Sequence, residues 1–124
     1  VREVVTAILT VMQPLHMPVP SKKQFVEIAN DSFSLWNFPN CIGCLDGKHV
    51  RTKCPKKSGS MFYNYKHYFS IALQGLVDGH YRFIVIDVGG CGKQNDGKTF
   101  EASDLFRLMT TNSLDIPNSE YLPG

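Results

Sequence analysis

The sequence predicts an α/β fold in which three antiparallel strands form a meander flanked by helices. Three observations predict it. Apolar residues up to Trp36 recur at helical spacing, and from Cys41 that period gives way to short strand-like runs. Asp78-Gly79, a strong hairpin signal, separates two of those runs. Asn95-Asp96 then leads into a second helical pattern containing Phe100, Leu105, Leu108 and Met109.

Taken in order, Val1, Val4, Val5, Ile8, Leu9 and Met12 form one apolar stripe of a first helix. Pro14, Pro18 and Pro20 are expected to stop it and give an extended connector. Ser21 can cap a second helix whose shared face carries Phe25, Ile28, Ala29, Phe33 and Trp36, and Asn37-Phe38-Pro39-Asn40 ends it as a turn. Ile42–Val50, running towards Thr52, reads as the first strand, Tyr68–Val77 as the second and Tyr81–Val88 as the third. Between the first two lies a lysine-bearing loop, and Gly89-Gly90-Cys91-Gly92 reads as a flexible turn. Residues 1–36 are therefore expected to be a helical segment serving as a platform, and 37–124 the part that carries chemistry.

At 124 residues this is one domain at most, and a chain of this size buries roughly two thirds of its unfolded surface. No apolar run approaches the ~20 residues that span a bilayer, so no membrane partner is expected. Val1 at one end and Leu122-Pro123-Gly124 at the other read as cuts in a longer protein. The cysteines Cys41, Cys44, Cys54 and Cys91 read as reduced structural thiols. Cys41 and Cys44 have CxxC spacing, but no second close pair follows and on a strand the two face opposite ways, which argues against zinc. Net charge is +2, unevenly spread. Between Asp31 and Asp78 the sole acid is Asp46, amid Lys48, Arg51, Lys53, Lys56, Lys57 and Lys66. A basic segment around one acid suits a polyanion approaching a cation-holding carboxylate, or simply a solvated lysine-rich loop.

Asp46 stands in the run Cys41-Ile42-Gly43-Cys44-Leu45-Asp46-Gly47-Lys48-His49-Val50. Buried there, charged and unpaired, it would cost several kcal/mol, so it needs a metal ion, a base or backbone N–H donors. Asp96 is the other candidate acid, because a three-stranded meander can return the chain to the same sheet edge. Two carboxylates brought together suit a divalent cation, Mg²⁺ or Mn²⁺, with water and phosphate oxygens completing its shell. His49 reads either as a contact to phosphate or an orienter of Asp46, or equally as a packed or solvent-facing histidine, and Lys66 either as a contact to a nucleic-acid backbone or as a plain exposed lysine. Asp78 reads as a hairpin residue and Asp87 as a surface one.

Linked words along the chain resemble the Harbinger transposase-derived nucleases, a branch of the DDE superfamily endonucleases. They are Trp36-Asn37-Phe38-Pro39-Asn40-Cys41-Ile42-Gly43, Leu45-Asp46-Gly47-Lys48-His49-Val50, Tyr63-Asn64-Tyr65-Lys66 with Ser70, Asn95-Asp96 with Phe100 and Ser103, and Leu122-Pro123-Gly124. The resemblance implies a ribonuclease H-like fold, present here only in its first part. It further implies a metal-dependent DNA endonuclease with Asp46 and Asp96 as first and second metal-binding and catalytic acids, and a third acid downstream of Gly124. Lys48, His49, Lys56, Lys57 and Lys66 are then the candidates to hold DNA. A separate DNA-binding partner protein and a nuclear location follow from the same resemblance, which says nothing of oligomeric state. The rival expectation is a domesticated, catalytically inactive relative that binds DNA or protein.

Overall fold

Three strands order the middle of the chain: β1 (Cys44–Arg51), β2 (Ser70–Val77) and β3 (Phe83–Cys91) form an antiparallel sheet in the order β1-β2-β3. The computed structural model describes residues 1–124 and divides into two compact units. The meander expected from the sequence is present, with β1 and β3 as edges.

The first unit comprises residues 1–43, 77–85 and 115–124. Its opening helical tract runs α1 (Arg2–Ala7), a π-helical turn (Ile8–Met12) and α2 (Gln13–His16) without a break. This corrects the expectation that Pro14 ends the first helix. Proline lacks an N–H and crowds the carbonyl four residues back, and the wider π turn placed just before it accommodates both defects. None of the residues of the predicted apolar stripe is buried.

Helix α3 (Lys22–Trp36) begins as predicted at Ser21. A capping box closes its end: Gln24 N–H donates to Ser21 Oγ (3.3 Å) while Ser21 N–H donates to Gln24 Oε1 (2.8 Å). Asn37 ends it in the left-handed region, at φ 53°. Phe25 and Ile84 are this unit's buried apolar side chains, whereas Phe33 remains exposed. Helix α3 holds the hairpin tip. Trp36 Nε1 donates to Gly79 O (2.8 Å), its ring meets Tyr81 edge-on at 5.8 Å, and His80 Nε2 lies 3.1 Å from Asp31 Oδ2.

Asp78 organises that tip. Its Oδ1 accepts the N–H groups of His80 and Arg82 (2.9 Å each) and its Oδ2 accepts Arg82 Nε (2.9 Å). The closed loop delays β3 to Phe83, two residues later than the apolar pattern indicates. Burial by itself raises the Asp78 carboxyl. The backbone N–H bonds and the Arg82 guanidinium outweigh it, and the net displacement is below the ordinary value of 3.8.

The second unit comprises residues 44–76 and 86–114. Here β3 continues through Gly89, Gly90 and Cys91, where a flexible turn was expected. A Cβ on Gly90 would lie 3.0 Å from Thr99 Cγ2 and 3.1 Å from Ala72 Cβ, so the glycine lets strand and helix touch. The single helix expected after Asn95 is two: α4 (Asp96–Glu101) and α5 (Asp104–Thr110). Asn95 caps the first by accepting Lys98 N–H, and Ser103 starts the second by accepting Phe106 N–H. Ala72 and Leu105 are buried in this unit, and Phe100 and Phe106 stack edge-on across the break. Asp87 is half-buried on β3. No helix of the chain is long and apolar enough to cross a membrane.

Candidate active site

Strand β1 carries Asp46 and α4 begins with Asp96, and each carboxylate has a contact at Gly47. Asp46 Oδ1 accepts the N–H of Gly47 at 2.8 Å. A Cβ on Gly47 would collide with Asp96 Oδ1 and come within 2.8 Å of its Cγ. The carboxylate of the second acid thus occupies the space that any other residue at position 47 would fill. The glycine that permits the approach lies on β1, away from Asp96 in sequence. Both carboxylates are exposed. That corrects the premise of a costly buried acid in β1: on an edge strand Asp46 keeps its water, and of the three partners considered the structure supplies a backbone N–H.

Gln74 was not picked out from the sequence, because on β2 it reads as a lone polar residue in an apolar run. It is buried, 4% exposed, and its Nε2 donates to the main-chain carbonyl of Asp96 at 2.7 Å. Its Oε1 is enclosed without a partner. One amide therefore ties the first residue of α4 to the sheet.

Beside Asp96 opens a cleft of about 630 Å³. Gly47, Lys48 and His49 of β1 line one side, Tyr65, Lys66 and Tyr68 another, and residues 93–96 a third. Of the predicted basic residues, Lys48, His49 and Lys66 are brought together with Asp96. Lys56 and Lys57 are not; they sit in the turn around Pro55–Ser58 and do not line the cleft. Lys93 joins the lining although the sequence did not single it out, and its Nζ donates to Ser60 Oγ at 2.8 Å. Lys66 Nζ lies 5.6 Å from the Tyr65 ring centroid, and Arg51 lies 4.3 Å over Tyr68. Of the aromatics between Phe62 and Phe69, Tyr65 and Tyr68 line the cleft, while Tyr63 and Phe69 pack on each other at 5.2 Å.

No group of three or more His, Cys, Asp or Glu gathers anywhere in a form that could hold a metal ion. That leaves two carboxylates as the protein's own oxygen donors at Gly47.

Residues 45–122 match the family described as DDE superfamily endonuclease. The chain belongs to that family. Its superfamily is the one to which the Harbinger-type words pointed. Two Arabidopsis thaliana proteins resemble this endonuclease-family chain. Protein ALP1-like is 29% identical over 96 residues, covering 76% of this chain and 23% of its own length. Protein Antagonist of Like Heterochromatin Protein 1 is 27% identical over 94 residues, covering 75% and 24%. The chain thus spans about a quarter of the length of the curated relatives it matches. No solved structure gives a match.

Proposed function

We propose that this chain forms the first part of a divalent-metal-dependent nuclease that acts on DNA phosphodiester bonds. The observation that carries the reading is that Asp46 accepts the Gly47 N–H while the Asp96 carboxylate packs against Gly47, at the edge of a lysine-lined cleft. Membership of an endonuclease family supports it. The donor set fits a hard cation: two exposed carboxylates and no thiolate or imidazole cluster. Asp46 and Asp96 would hold Mg²⁺ or Mn²⁺, which supplies Lewis acidity at a phosphate oxygen. A third acid comes from outside these residues, and the ribonuclease H-like topology belongs to the same proposal. Lys48 and Lys66 draw the phosphodiester backbone into the cleft, with a separate DNA-binding partner choosing the target and the nucleus as the place of action.

Calorimetric titration with Mn²⁺ tests the metal. Binding by a chain extended past Gly124 should be lost in Asp46→Asn and in Asp96→Asn; equal binding by both variants would sink the assignment. A second reading, a relative that binds but no longer cuts, is favoured by one observation: a similar protein is named as an antagonist of a heterochromatin protein. Metal-dependent nicking of plasmid DNA that vanishes in Asp46→Asn decides against it.

A further inference from the structure

A buried polar chain fixes which nitrogen of His49 carries the hydrogen. Asn64 and Ser70 are 3% and 0% exposed. Asn64 Oδ1 accepts the N–H groups of Lys66 (2.9 Å) and Tyr68 (3.3 Å), which sets the orientation of its amide. Its Nδ2 therefore points to Ser70 and donates to Ser70 Oγ at 2.8 Å. The other neighbour of that oxygen is His49 Nδ1, at 2.9 Å. A serine hydroxyl has one hydrogen to give, and an amide nitrogen cannot receive it. The hydrogen goes to Nδ1. Were Nδ1 protonated instead, Ser70 would accept twice and leave its own O–H unpaired in a fully enclosed place, at the full desolvation penalty of that group.

His49 lies on β1 three residues beyond Asp46 and lines the cleft with Lys48, Lys66 and Asp96. The Tyr65 ring stands edge-on to its imidazole at 5.8 Å. Its Nε2 makes no hydrogen bond within the protein.

From this geometry we infer that His49 is held as the neutral Nε2–H tautomer by the buried Asn64–Ser70 pair, and that it donates this N–H to a non-bridging phosphate oxygen in the cleft. The second half rests on the nuclease reading above; the first does not. A ring with Nδ1 engaged by Ser70 and a hydrogen on Nε2 has no free lone pair facing the cleft. His49 is thus a donor that positions phosphate, and not the base that activates a nucleophile. Ser70 and Asn64 are positioning residues that act through it.

Two-bond ¹H–¹⁵N correlation spectra of the ¹⁵N-labelled chain, under alkaline conditions that keep the ring neutral, read the tautomer directly. The pattern expected is protonated Nε2 and bare Nδ1, becoming a mixture in Ser70→Ala; a wild-type ring protonated on Nδ1 overturns the inference without any variant. A metal-free oligothymidylate is then titrated in. Support is a displaced His49 Nε2 resonance, with affinity reduced about tenfold in His49→Phe, the loss of one good hydrogen bond. An oligonucleotide that binds, and binds less well to Lys66→Ala, while His49 stays unmoved removes the phosphate contact and leaves the nuclease reading intact. Failure of every variant and the wild type to bind it counts against the nuclease reading, while the tautomer stands on its own spectrum.

Discussion

At Gly47 and Gln74 single atoms decide the geometry around Asp96. Adding one methyl in Gly47→Ala puts a carbon where the Asp96 carboxylate lies. Overpacking of this kind typically displaces structure by about 1–3 kcal/mol, and here the mobile partner is the acid itself. The expected result is Mn²⁺ affinity lowered at least tenfold by calorimetry, with a smaller loss of thermal stability. Gln74→Met should separate the two quantities in the other direction. It removes the donor to the Asp96 carbonyl but also the enclosed, unpartnered Oε1. Losing one hydrogen bond costs about 1 kcal/mol and losing an unsatisfied buried atom returns a similar amount. The melting temperature should stay level or rise while Mn²⁺ binding weakens; a large fall in melting temperature with binding unchanged would mean that Gln74 serves packing alone. Neither residue was legible as a site residue beforehand. A glycine announces no chemistry, and a single glutamine in a β run has no partner in the linear chain.

Elements whose ends are set by local chemistry were legible; those set by distant contacts were not. Helix α3 starts and stops where Ser21 and Asn37 place it, since a capping box and a left-handed terminal residue are written within a few positions. Within β3, Gly90 lies close against Thr99 and Ala72, which no pattern inside that stretch reveals. Proline at position 14 was read as a stop because the π turn ahead of it has no sequence signature. The hairpin tip yields a prediction of its own. Because Asp78 titrates below its ordinary value in the fold, its contribution is complete above pH about 4 and lost as pH falls through the lowered value. Asp78→Asn should destabilise by about 1–2 kcal/mol at neutral pH, and the difference from wild type should vanish in strong acid. Urea unfolding at both pH values measures it.

For the whole molecule the informative quantity was charge distribution rather than net charge. The +2 balance conceals a stretch from Asp31 to Asp78 with six cations and one acid, and the fold concentrates part of it at one cleft. With Lys93 joining from beyond that stretch, the grouping crosses 45 residues of sequence from Lys48, so the loop lysines 56 and 57 looked as suitable beforehand as Lys66. Binding of DNA to the full-length protein should weaken with salt on a log–log line. Lys48→Ala and Lys66→Ala should each lower the slope by about one, uniformly across DNA sequences, and Lys56→Ala by less. Equal slopes for all three would place the DNA elsewhere on the surface.

The contact at Gly47 also bears on heredity. Glycine and alanine codons differ by one base, so a gene that encodes this fold stands a single mutation away from a protein with both acids intact and no place beside position 47 for the Asp96 carboxylate. Loss of cutting need not erase an aspartate. Surveys that score family members as active by counting acids would pass such a protein, whereas the residue after the first acid would expose it. On the nuclease reading proposed above, the same change offers the experimenter an allele that displaces the Asp96 carboxylate while every charge at the site is kept.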